Sequence, residues 1–337
     1  MSMTASDRRY IRQLSANERV EGAFAIANAQ LGKTRQDKPY LRCLISDKTG
    51  ELPGRMWSID EATFRRLPTE GFVWIEGETQ PYQGELQLIL HSIDPVEPSA
   101  EQLRELLPST ENDVGAMFDE VVGYLGELKH PAMKALAETY LADEFLMEQF
   151  RRAPAAKSMH HAYLGGLLEH TVNLMRLARL VCPLYPKINQ DLVLFGLFIH
   201  DLGKTRELIY DRTFGYSDRG ELVGHIVEGA FMLRDKVHET MTRTGQRLPS
   251  GAALVLEHIV LSHHGIPEYG AAKIPGTPEA ILVSMLDNLD AKTEIALAAA
   301  RPDRETAELG GNFTQKQWAL DTKLYRPDPL AEHANGG

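Results

Sequence analysis

"FGLFIHDLGKTRELIY" occupies Phe195–Tyr210. An uninterrupted apolar run, Leu192–Ile199, stops at His200-Asp201, and Lys204 follows one helical turn later. A run this apolar belongs in a core, so the run predicts a buried helix that ends on an imidazole beside a carboxylate. A buried carboxylate is costly unless it is paired or metal-bound. The end of this helix is therefore a candidate site.

Other histidines gather around it. Nine of the 12 lie between His160 and His264, clustered at expected helix ends and beside acids: His160-His161, Glu169-His170, His200-Asp201, Gly224-His225, Glu257-His258 and His263-His264. Asp287 stands in "ILVSMLDNLDAK", another helix that should be buried. Each histidine alone reads as a cap or a solvated group. Together they form a donor set of imidazoles and carboxylates without thiolates, which suits Mn, Fe, Co, Ni or Zn, and separated pairs on a helical bundle are how such a site is built. The helical segments predicted by apolar periodicity are about 132–150, 160–181, 190–200, 220–240, 250–264 and 278–299. An earlier one follows Thr110, which with Asp113 offers a capping box.

The N-terminal part reads differently. Val20–Gln30, Tyr40–Asp47, Phe72–Glu78 and Leu86–Ile93 are short apolar runs separated by "KTGE" and "QPYQGE" turns, the pattern of a small β-barrel. "DPVEPSAEQ" (Asp94–Gln102) marks the change to helix. The predicted fold class is thus α+β multidomain, a barrel in residues 1–98 and then an all-α region. A helical connector would span 99–159, the histidine-rich domain 160–300 and a C-terminal extension 301–337.

Bulk properties narrow the function. The chain carries a net charge of −11, with 12 basic and 14 acidic residues in 1–98 against 24 and 33 in the rest. Proteins that coat nucleic acid are usually basic, so any such contact here has to be local. Two cysteines, no apolar leader and no run of the ~20 residues a membrane helix needs point to a cytoplasmic protein. Neither G-x-S-x-G nor a Walker-type loop is present, which disfavours serine hydrolases and NTPases.

The order His…His-Asp…Asp around "HDLGK" resembles the HD superfamily of metal-dependent phosphohydrolases. That resemblance implies His170, His200, Asp201 and Asp287 as ligands of a first metal, with Asp201 bridging to a second. His225, His263 and His264 would complete the second site, with His258 as a substitute for either of the last two. Two cations about 3.5–4 Å apart can share a hydroxide and hold a phosphate. Lys204 could then reach that phosphate, and His225 or His264 could protonate the departing oxygen. Asp290 would stand behind the ligands, while His160 and His161 would either cap a helix or face substrate. His238 reads as solvated and His91 as structural.

The stretch "KPYLRCLISDKTGELPGRMW" looks like an OB-fold of the nucleic-acid-binding kind. Its loop carries Lys33, Arg35, Lys38 and Arg42 against Asp37. Tyr40, Trp57, Trp74 and Tyr82 could offer stacking platforms, although Trp57 and Trp74 also read as barrel core. An OB-fold followed by "HHAYLGGLLEHT", "HDLGK", "GELVGHIVEGA", "LEHIVLSHHG", "PEAILVSMLDNLDA" and "GNFTQKQWALDTKLYRP" resembles the YhaM-type 3′-5′ exoribonuclease family over about residues 10–325. The family implies Mn or Co dependence, removal of 5′-mononucleotides from the 3′ end of single-stranded RNA, and single-stranded DNA as a further substrate. A homo-oligomer would gather several shallow binding faces. The alternatives are a phosphohydrolase of free nucleotides or cyclic dinucleotides, and a non-catalytic nucleic-acid binder with a structural metal.

Overall fold

Five strands close the N-terminal barrel: β1 (Arg19–Lys33), β2 (Pro39–Asp47), β3 (Gly50–Trp57), β4 (Gly71–Tyr82) and β5 (Glu85–Pro95). In this computed structural model the strand order is β1-β2-β3-β5-β4, and β4 pairs with β1 to close the ring. All pairs are antiparallel except β3 with β5, and α1 (Glu61–Arg66) lies between β3 and β4. This is the OB-fold arrangement, a five-stranded Greek-key barrel. The structure describes residues 9–330 except 35, 37, 69–70, 83–84, 157–160, 211–214, 302–311 and 315.

Alternation builds the barrel. Phe24, Leu41, Ile45, Val73, Ile75, Leu88 and Leu90 are buried within it. The third strand is absent from the four expected runs because Pro53 and Gly54 break its hydrophobic pattern. Pro53 stands opposite Leu44 of β2, and β3 meets β5 only at Gly54 and Arg55. β4 also runs on to Tyr82, so the segment read as a turn from Gln80 to Glu85 is mostly strand.

The chain divides into two compact units, residues 1–111 with 209–215, and 112–208 with 216–337. α2 (Ala100–Leu106) falls within the first of these units. α3 (Val114–Gly126), α4 (Pro131–Leu141) and α5 (Glu144–Arg152) pack in the second unit with α6 (Gly166–Val181) and α7 (Gln190–Ile199). The N-cap of α3 is Asp113, three positions after the expected Thr110, and its side chain accepts from the Ala116 N–H at 3.0 Å. The predicted helix over 132–150 splits because Asp143 caps a new one, accepting from the Leu146 N–H.

After α7 come α8 (Lys204–Glu207), a two-stranded hairpin of β6 (Leu208–Ile209) and β7 (Gly215–Tyr216), α9 (Asp218–Leu222), α10 (His225–Thr244), α11 (Ser250–Ser262) and α12 (Pro278–Ala300). Beneath α7, Phe198 meets Tyr140 and Phe150 edge-on, with ring centroids 5.8 and 5.7 Å away. Such pairs add to area burial, and they hold the helix that ends at His200. Phe198→Ala is expected to lower the unfolding free energy by about 3–5 kcal/mol, whereas Phe145→Ala, at a position 75% exposed, should change it by under about 0.5 kcal/mol. Urea denaturation compares the two; equal effects would remove the aromatic cluster from the core.

Candidate metal centre

Two apolar helices end on histidine in the same way. His200 follows α7 and places Nδ1 2.7 Å from the Leu197 carbonyl; His263 follows α11 with Nδ1 2.8 Å from that of Val260. A helix C-terminus leaves carbonyls without partners, and here ring N–H groups donate to carbonyls three residues back. The donation fixes each proton on Nδ1 and turns the Nε2 lone pair away from the helix. Both rings are buried, 5.0 Å apart.

Asp201 stands between these rings, and its two oxygens face different partners. Oδ2 lies 3.4 Å from His200 Nε2 and 3.9 Å from His170 Nε2. Oδ1 lies 3.5 Å from His225 Nε2 and 3.4 Å from His263 Nε2. From α12, Asp287 places Oδ1 3.1 Å from His170 Nε2 and 3.9 Å from His200 Nε2. His225 opens α10, and Glu207 accepts from both its backbone N–H and its Nδ1, at 3.0 and 2.9 Å. The glycine of "HDLGK" permits this approach: a Cβ on Gly203 would lie 2.0 Å from the His225 carbonyl oxygen. His264 turns Nδ1 to the Tyr269 carbonyl, with its ring 4.3 Å from that of His263.

The residues fit a divalent cation. Nε2 of His200, His225 and His263 and Oδ1 of Asp201 are buried with no hydrogen-bond partner among the described residues. Buried polar atoms are nearly always paired, so four orphans converging on one spot mark a place for a cation. Donor atoms of His170, His200 and Asp201 lie within 4.8 Å of one another, and so do those of Asp201, His225, His263 and His264. Asp201 is common to both groups.

The charges are consistent with this. Burial alone would raise the Asp201 carboxyl, but the Lys204 ammonium and the surrounding imidazoles hold it well below the usual range. Asp287 is likewise held low against burial, chiefly by its hydrogen bond to His170. Burial pushes His200 down to about 4, and burial with neighbouring imidazoles takes His264 to about 3. Burial opposes the charge on His170, yet its bonds to Asp287 and Asp290 win and raise it to about 9.

All seven expected ligands thus converge. Lys204 is placed differently from expectation: its ammonium is buried and donates to Asp201 Oδ2 at 2.6 Å, so it acts on the carboxylate instead of standing free for a phosphate. His258 is no substitute ligand, because its Nε2 accepts from the Gly276 N–H at 2.7 Å. Five residues separate His258 from His263, about 140° around a helix, so periodicity could have told them apart. His161 is buried and faces no solvent. His91 and His238 are exposed, and His160 and Arg35 lie outside the described residues. Glu207 was missed; a carboxylate 18 positions from its histidine leaves no sequence pattern.

On the barrel, Tyr40 and Trp57 are register partners with ring centroids 5.2 Å apart. Trp57 is 48% exposed, so it is not core, whereas Trp74 is half-buried. The Arg55 guanidinium lies 5.9 Å from the Trp57 ring and 5.0 Å from that of Tyr82. Arg42, opposite Arg55, donates to Gln30 at 3.0 Å, and Lys33 and Lys38 are exposed.

Residues 167–292 match the HD domain family model. The chain is 31% identical over 325 residues to the 3′-5′ exoribonuclease YhaM of Shouchella clausii, covering 94% of this chain and 96% of the relative. It is 30% identical over 318 residues to the Bacillus subtilis 3′-5′ exoribonuclease YhaM, covering 92% and 95%. The chain belongs to the YhaM 3′-5′ exoribonuclease family. A solved HD domain, that of the L. monocytogenes phosphodiesterase PgpH, aligns loosely, with 17% identity, a TM-score of 0.27 and coverage of 49% of this chain and 74% of the other. In this YhaM-family chain the metal-ligating candidates from His170 to Asp287 all fall inside the HD match.

A pH dependence follows for the metal-stripped protein. His170, raised from 6.5 to about 9, contributes stability fully below pH 6.5 and loses it as pH rises through 9. The melting temperature should therefore fall between those values relative to His170→Gln. Parallel profiles for the two proteins would contradict the assignment.

Proposed function

We propose that this metal-dependent enzyme of the exoribonuclease family hydrolyses the 3′-terminal phosphodiester of single-stranded RNA in the cytoplasm, releasing 5′-mononucleotides, with two Mn- or Co-type cations at the histidine centre. The observation that carries this reading is the division of Asp201 between two sets of imidazoles. His170, His200, Asp201 and Asp287 would hold the first cation, and Asp201, His225, His263 and His264 the second. When bound, such cations supply a lowered pKa for water and neutralise phosphate charge.

The protein's own groups set the geometry. Lys204 keeps Asp201 ionised, and Glu207 holds His225 so that only Nε2 faces the centre. Water attacks the terminal phosphorus, the bond to the upstream 3′-oxygen breaks, and that oxygen gains a proton. His264, held near 3 and so neutral at pH 7, suits a ligand better than a proton donor.

The barrel supplies the strand-binding face. Tyr40, Trp57 and Tyr82 offer stacking surfaces around Arg55, and Lys33, Lys38 and Arg42 offer charge to the backbone. Stacking reads no 2′-hydroxyl, so single-stranded DNA is expected on the same face. A homo-oligomer would multiply these contacts in a chain of net charge −11.

Asp201→Ala would strand the buried Lys204 ammonium, so Asp201→Asn is the cleaner test. It is expected to lower turnover of 3′ single-stranded RNA by at least about 100-fold (~2.7 kcal/mol at 1.36 per decade) and to reduce bound Mn2+, with circular dichroism unchanged. Full activity would refute the site; cleavage of free nucleotides with no action on RNA would favour the smaller substrates. For the barrel, Trp57→Ala is predicted to weaken RNA binding by about 1–3 kcal/mol, while Lys33→Ala with Lys38→Ala should flatten its salt dependence. Filter binding at several salt concentrations measures both, and unchanged affinity and slope would exclude this face.

A further inference from the structure

Behind His170 a second line of polar groups runs away from the metal centre. Asp290, one turn after Asp287 on α12, places Oδ2 2.7 Å from His170 Nδ1 and 3.1 Å from His161 Nε2. The Tyr163 hydroxyl then lies 2.7 Å from His161 Nδ1. His161 is 4% exposed and Asp290 8% exposed, so these two groups are almost entirely withdrawn from water, while Tyr163 is half-buried. A carboxylate only accepts, so both imidazoles donate to the same oxygen: His170 through Nδ1–H and His161 through Nε2–H. This leaves His170 Nε2 as the atom turned to Asp287 and Asp201.

The backbone is bent to make this contact. His161 adopts φ +48°, a left-handed conformation uncommon outside glycine. It is locked there by the Ala155 N–H, which donates to the His161 carbonyl at 3.0 Å, and by Gly166, where a Cβ would lie 2.1 Å from that carbonyl oxygen. Backbone strain of this kind persists only where its surroundings enforce it. A helix cap would need no buried ring, and a substrate contact would need an exposed one. His161 has neither character.

We infer that His161, supported by Tyr163, is a positioning residue for the metal centre. By donating to Asp290 it fixes the carboxylate that holds His170, and so aims the His170 lone pair at the first cation. The inference rests on His170 being a ligand, as proposed above. Its chemical content is a hydrogen bond two groups removed from the ion, and outer partners of ligating histidines typically alter metal affinity by about 10–100-fold.

The test uses the full-length, metal-stripped protein titrated with Mn2+ against a competing chelator, with the visible spectrum of the Co2+ form as a second readout. His161→Ala is expected to bind Mn2+ about 10-fold more weakly and to shift the Co2+ bands. His161→Gln, which keeps an N–H able to reach Asp290, should stay within about 2-fold of wild type, a small part of that range. This rescue separates donation from bulk even if the alanine variant is poorly folded. Wild-type affinity and bands in His161→Ala would overturn the inference, as would a glutamine variant as weak as the alanine one. His170→Ala is the control: loss of binding supports the ligand assignment, and retained binding overturns that assignment together with this inference.

Discussion

The Asp201 carboxylate is the point on which the second unit depends. It is buried, deprotonated, and flanked on one oxygen by His170 and His200 and on the other by His225 and His263. A lone carboxylate in such a place would be neutral. Lys204, donating at 2.6 Å, supplies the nearest compensation, and the imidazoles supply the rest. Because each oxygen serves a different group, one side chain joins α6 and α7 on one side to α10 and α11 on the other. A neutral or shorter residue there could not do this.

The imidazoles around it are aimed by what lies behind them. His200 and His263 use a helix's own terminal carbonyls, His225 uses Glu207, and His170 uses Asp290. In each case Nδ1 is occupied and Nε2 is left for the centre. Four imidazoles thus turn Nε2 to the centre by three different means; on His200, His225 and His263 that atom has no hydrogen-bond partner among the described residues, while on His170 it lies 3.1 Å from Asp287 Oδ1.

Much of this could be read from the residue order. His200, Asp201 and Asp287 stand out because polar groups interrupt apolar helices, and four of the five barrel strands show as separated runs. The rest was hidden for specific reasons. Pro53 and Gly54 conceal β3, and without that strand the outward direction of Trp57 cannot be deduced. Lys204 has the spacing to reach either a phosphate or Asp201, and only the fold selects the carboxylate. Glu207 and His161 act through partners 18 and 129 positions away, which no local pattern encodes. Helix ends were misplaced where side chains compete to cap them, as at Asp113 and Asp143.

The proposed pair of cations straddling Asp201 can be tested directly. Anomalous diffraction from crystals of the protein soaked in Mn2+ would locate the ions without reference to activity. Two peaks about 3.5–4 Å apart, each touching a different Asp201 oxygen and with the four Nε2 atoms facing them, are the predicted result. No peak at Asp201, or manganese bound only elsewhere, would contradict it.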